Sequence, residues 1–119
     1  MITEDYVSFK TAKLLKEKGF DEPTLWFYVG DGTKLYAHKT AGDDWWRRPT
    51  LQKAMKWLRE EKGIAVIPVI SSVLDNEKFL WDVKVVVAKT NDTYSQGWVY
   101  EKQEDACERA VEYCLEKLI

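Results

Sequence analysis

The residues of this chain with chemical potential are few and scattered. Its one histidine, His38, closes an aromatic-rich segment. An imidazole works as general base or metal ligand only when an orienting partner and a nucleophile, or further ligands, accompany it, and none stands at a recognisable spacing from His38. It reads as an ordinary side chain at a strand end. Cys107 and Cys114 lie seven residues apart in a helical pattern. That spacing puts them on one helix face about 10 Å apart along the axis, too far for a disulfide. With no CxxC spacing, and with Glu104, Asp105, Glu108 and Glu112 nearby to oppose a thiolate, they read as core thiols in a reducing compartment. The pair Asp43–Asp44 and the series Glu101, Glu104, Asp105, Glu108, Glu112 and Glu116 lack the alternation of oxygen ligands and the central glycine of a calcium loop. The series reads instead as a solvated helix face whose first acids suit the positive end of the helix dipole. Gly30, Asp31 and Gly32 make a turn, since no helix opening with Lys and Ser or Thr follows to form a phosphate cradle. No catalytic, cofactor-binding or metal-binding residue is assigned, and a non-catalytic protein without cofactors is the expectation.

One cluster stands apart. Trp45 and Trp46 are adjacent, run into Arg47 and Arg48, and precede a helix that adds Lys53, Lys56, Arg59 and Lys62. Between Trp45 and Gly63 there are six basic and two acidic side chains, a local excess of four positive charges. Read as a loop, this stretch sends its neighbouring indoles in different directions, so they do not both enter a core. An exposed Trp flanked by Arg has the composition of a binding hot spot, because both offer large contacts that desolvate well. The blander reading has one indole plugging the core while the guanidinium groups stack on rings. The candidate binding surface is therefore Trp45, Trp46, Arg47, Arg48, Lys53 and Lys56. A protein partner is favoured; single-stranded nucleic acid, stacked on the indoles and neutralised by the cations, is the alternative.

The bulk composition bounds both readings. A chain of 119 residues that is 45% hydrophobic and 32% charged has the apolar content a folded domain needs, and one domain over 1–119 is expected. Six Trp and six Tyr are a surplus for that size, leaving ring surface for a partner. A net charge of −2 repels polyphosphates as a whole, which ranks nucleic acid second. Met1 to Lys10 carries Glu4 and Asp5 and no apolar stretch, so no targeting leader is expected. The apolar run Ile64 to Ile70 is interrupted by Pro68 and is far shorter than the roughly 20 residues of a membrane helix. A cytoplasmic protein without a membrane span is the expectation.

The elements that must position these residues follow from local signals. Ser8 caps a helix carrying Ala12, Leu14 and Leu15, Gly19 ends it with Phe20 placed to pack back on Leu15, and Pro23 prevents its resumption. Thr24 to Val29 and Lys34 to His38 flank a four-residue turn and predict a β-hairpin. Thr50 caps a second helix with Leu51, Ala54, Met55 and Leu58 on one side, and Gly63 stops it. Ile64 to Ile70 is a strand that Pro68 assigns to an edge or a bulge. Phe79, Trp81, Val83, Val85 and Val87 alternate along a central strand. A polar loop, Thr90 to Gln96, and a short strand, Trp98 to Tyr100, lead to a last helix from Gln103 to Leu118. The predicted fold is α+β in the order α-β-β-α-β-β-(β)-α, with three helices on one face of a small antiparallel or mixed sheet.

Three stretches, Asp5 to Pro23 (DYVSFKTAKLLKEKGFDEP), Pro49 to Glu61 (PTLQKAMKWLREE) and Glu104 to Ile119 (EDACERAVEYCLEKLI), resemble short uncharacterised proteins of gut Bacteroidales, of the type carried by prophages and other mobile elements. The resemblance covers the helices and not the strands. It implies a small accessory protein and brings no activity, cofactor or site residue with it.

Overall fold

The computed structural model describes residues 4–37, 44–74, 78–95, 97 and 99–119; His38, Asp43 and Trp98 lie outside them. The chain is α+β. In order it forms α1 (Phe9–Glu17), β1 (Trp26–Val29), β2 (Lys34–Ala37), β3 (Trp45–Arg47), α2 (Leu51–Lys62), β4 (Ile64–Leu74), β5 (Lys78–Val87), β6 (Asp92–Ser95) and α3 (Gln103–Tyr113), whose end widens into a π-helical turn over Cys114–Leu118. The strands fall into two antiparallel three-stranded sheets, β2-β1-β3 and β4-β5-β6. Two segments expected as loops are strands: Trp45–Arg47 adds to β1, and Asp92–Ser95 adds to β5. Toward the last helix, Tyr100 meets β5 as an isolated bridge to Trp81.

The helix ends are built as their residues dictate. Ser8 Oγ accepts the Thr11 N–H, and Thr50 Oγ1 accepts the Lys53 N–H, each satisfying a donor the first turn leaves open. At the end of α1, Gly19 adopts φ +93°. The Phe20 N–H then donates to Leu15 O at 2.9 Å and the Gly19 N–H to Lys16 O at 3.2 Å, the double closure of a glycine-ended helix. Gly63 ends α2 in the left-handed conformation. α3 begins without a side-chain cap, and Glu104 and Asp105 occupy its first turn.

One continuous core joins the layers. Leu15, Leu51, Leu58, Ile64, Val83 and Leu115 are among its buried members, each contributing roughly 1.5–3 kcal/mol of apolar burial. β5 is the middle strand of its sheet and turns Val83 and Val85 inward; β4, with Pro68, is an edge strand. The segment before α1 is bonded to the connection between β3 and α2. The Val7 N–H donates to Pro49 O at 3.1 Å and the Leu51 N–H to Asp5 O at 2.8 Å, which fixes how the chain leaves β3 and enters α2. From the far end of the sequence, Glu108 Oε1 accepts the Ser8 N–H at 3.0 Å and the Thr11 hydroxyl at 2.6 Å. Lys10 pairs with Glu112 at 2.6 Å.

Candidate binding surface

β3 is held on three sides. It pairs with β1, placing Tyr28 opposite Trp46 and Val29 opposite Trp45; the Arg48 N–H donates to Trp26 O at 3.0 Å; and Lys16 Nζ donates to Trp45 O at 3.1 Å. Because the stretch is a strand and not the expected loop, its side chains alternate strictly between two faces. The expected cluster therefore divides in two.

Trp46 faces inward. Its ring meets Phe9 edge-on at 5.1 Å and carries Lys16 Nζ at 5.4 Å from its centroid. Arg48 turns to the same side of the molecule, with its guanidinium 4.0 Å from the Tyr6 ring centroid and its Nε donating to the Tyr28 hydroxyl at 3.3 Å. The Tyr28 hydroxyl in turn donates to Val7 O at 2.6 Å. These contacts hold the N-terminal segment against the sheet, and for Trp46 and Arg48 the stacking role is the one observed.

Trp45 and Arg47 face outward. Cross-strand pairing puts Phe27 opposite both Tyr36 and Arg47, and Val29 opposite both Lys34 and Trp45, so these six side chains share the outer face of β2-β1-β3. Phe27 is buried beneath them. Trp45 tilts against Phe27 at 5.6 Å and against Tyr36 at 5.3 Å, and Arg47 lies 5.8 Å from the Phe27 centroid while its Nη1 donates to Glu22 O at 3.2 Å. Tyr36 remains 52% exposed and Leu35, on the opposite face, 44%. The result is a ring platform with a buried floor, edged by Lys34 and Arg47. Tyr36 and Phe27 are absent from the sequence-based candidates, although a four-residue hairpin turn already sets Phe27 opposite Tyr36.

The helix cations do not extend the platform. Lys53 Nζ donates to Pro23 O, and Lys56 stands 3.9 Å from Glu60 on an exposed face, a pair worth little in water. Both border a hollow of about 160 Å³ that Glu22, Glu60 and Glu61 also line; Glu60 and Glu61 are the two acids already set against the six basic residues of that stretch, and Glu22 adds one more. Cys107 and Cys114 are free and buried. Burial, with help from Glu104 and Asp5, pushes the Cys107 thiol up to about 11. Burial also pushes the Cys114 thiol up to about 12, and both therefore stay protonated and unreactive at neutral pH. Among the described residues no group of three or more His, Cys, Asp or Glu is placed to hold a metal ion, and no helix is long and apolar enough to cross a membrane. Set against known proteins, the chain matches no family model, no curated protein and no solved structure.

Proposed function

We propose that this chain is a small non-catalytic binding module, an accessory protein that docks a protein partner on the outer face of β2-β1-β3. The observation that carries the reading is the Trp45–Tyr36 ring pair over buried Phe27 with Tyr36 half open to water. Trp, Tyr and Arg dominate hot spots because rigid rings and planar guanidinium groups gain large contact area for little lost rotamer freedom. Lys34 and Arg47 at the rim favour a partner segment that carries a carboxylate beside an apolar residue. Selection of displayed peptides on the immobilised chain tests this. Peptides pairing an acidic with an apolar residue are expected, and Trp45→Ala, Tyr36→Ala and Arg47→Ala should each weaken them roughly tenfold or more. Selection of the same peptides by the folded triple variant would refute the site.

Single-stranded nucleic acid is the second reading, favoured by the same tilted Trp45–Tyr36 ring pair beside two cations, since bases stack on exposed aromatic side chains irrespective of sequence. It ranks below the first because the chain is acidic overall. An oligonucleotide titration at low salt should quench Trp45 and weaken steeply with added salt; no quenching removes this reading.

A further inference from the structure

Arg48 is fixed along one edge and open along the other. Its guanidinium lies 4.0 Å from the Tyr6 ring centroid and 5.6 Å from that of Tyr28. Nε donates to the Tyr28 hydroxyl at 3.3 Å, and that hydroxyl's own proton goes to Val7 O. Two rings and one hydrogen bond therefore set the plane. The terminal amino groups, Nη1 and Nη2, bond to no described residue, and neither is sealed from solvent. No described acid forms an ion pair with Arg48. A guanidinium held in this way presents a pair of parallel N–H donors at the spacing of the two oxygens of a carboxylate.

Two hollows flank Arg48, and their charges differ. One, of about 300 Å³, is also lined by Glu4, Asp5, Glu104, Asp105 and Glu108, which repel an anion. The other, of about 240 Å³, is lined by Arg48 and Lys53 and, among the described acids, by Glu4. The Lys53 ammonium donates to Pro23 O, a neutral partner that leaves its charge uncancelled. Thr50, which caps α2, borders the same hollow, and the first turn of α2 carries no acid, so the positive end of that helix dipole adds to the field. The remaining walls are largely apolar: Tyr6, Pro23, Leu25, Trp26 and Pro49, with Leu25 left 66% exposed. A cavity of roughly 150 Å³ accepts a benzene ring, so this hollow has room for a ring and a carboxylate group.

We propose that the hollow between Arg48 and Lys53 binds a small monocarboxylate with a flat apolar body, its oxygens on the Nη edge of Arg48 and its body against Leu25 and Trp26. A few convergent polar groups in an apolar hollow are the usual makings of a small-molecule site. The acids on the far side of the guanidinium set the ligand's charge. Arg48 and Lys53 offset one negative charge, whereas a dianion such as a phosphate monoester also feels the carboxylates beyond Arg48. The site is separate from the ring platform of β2-β1-β3: Trp26 and Arg48 belong to the inner face of that sheet, and Tyr36 and Trp45 to the outer.

Titration of the nitrogen-labelled full chain with phenylacetate, followed by NMR near neutral pH, tests the proposal. The indole N–H signal of Trp26, assigned with Trp26→Phe, should shift with a Kd of roughly 0.1–1 mM. Phenylacetamide, which has the shape without the charge, acetate, which lacks the ring, and phenyl phosphate should each bind roughly tenfold or more weakly. Arg48→Lys keeps the charge and loses the fork, and should weaken phenylacetate roughly tenfold or more. Because Arg48 also holds the N-terminal segment, Leu25→Asp at the exposed rim is the second variant; it should melt like the wild type and lose binding. Ile70→Asp, at a residue 51% exposed on the other sheet, should leave the Kd unchanged. N-acetylphenylalanine, a stand-in for the last residue of a chain, separates the two sources of such a carboxylate: binding weaker than phenylacetate assigns the site to a free acid, tighter binding to a chain end, and both orders support the proposal. No shift at about 10 mM phenylacetate overturns it. So does equal binding of phenylacetamide or acetate, or undiminished binding by folded Leu25→Asp.

Discussion

Trp46 meets Phe9 and the core, whereas Tyr36, reached through Trp45, is half open to water, and their truncations separate accordingly. Trp46→Ala empties core volume and is expected to cost roughly 3 kcal/mol, read as a lowered urea midpoint with an unchanged slope. Tyr36→Ala removes a half-exposed ring and is expected to cost less than about 1.5 kcal/mol while carrying the larger loss of binding. That the two indoles diverge was legible, because neighbours on extended backbone point to opposite sides. Which of them points inward was not. The pairing of β3 with β1 and the position of Phe9 decide it, and both partners are distant in sequence. Tyr36 was legible in principle from the hairpin turn, since the register follows from the turn length.

The elements divide along the same line between local and distant causes. Caps and stops were readable at Ser8, Gly19, Thr50 and Gly63 because each is satisfied by hydrogen bonds within its own few residues. β3 and β6, three and four residues long, are too short to show an alternation of their own and exist through their partners, which no local pattern announces. The outer end of β4 is a similar case: Ser71 and Ser72 look like a turn, and the pairing of Ser72 with Leu80 and of Val73 with Phe79, beyond a register shift at Ser71, keeps them in the strand. One turn glycine carries an inter-element contact that spacing does not reveal. Gly32 has φ +86°, and a Cβ there would enter the Phe9 ring of α1. Gly32→Ala combines left-handed strain with that clash and is expected to destabilise by roughly 2 kcal/mol or more in a thermal melt. Gly30→Ala, with φ +65° and open space around its Cβ, should show the strain alone, roughly 1 kcal/mol.

At the scale of the whole molecule the two buried thiols give stability a pH limit. Unfolded, each ionises near its ordinary value of 9.0; folded, Cys107 does so at about 11 and Cys114 at about 12. The unfolded chain therefore releases its protons first as pH rises. The contribution is complete below about pH 9 and declines by about 1.4 kcal/mol per pH unit for each thiol as pH climbs toward the folded values. Urea midpoints taken under reducing conditions at about pH 8 and about pH 10.5 should fall more steeply for the wild type than for Cys107→Ala/Cys114→Ala.

The bonds from Ser8 and Thr11 to Glu108 span 100 and 97 positions, and they bear on how the molecule is made. During synthesis α1 is made almost a hundred residues before the carboxylate that completes its first turn, and a nine-residue helix is marginal by itself in water. Native docking of α1 must wait for translation to reach α3, so the core closes late and cooperatively instead of growing from the N-terminus.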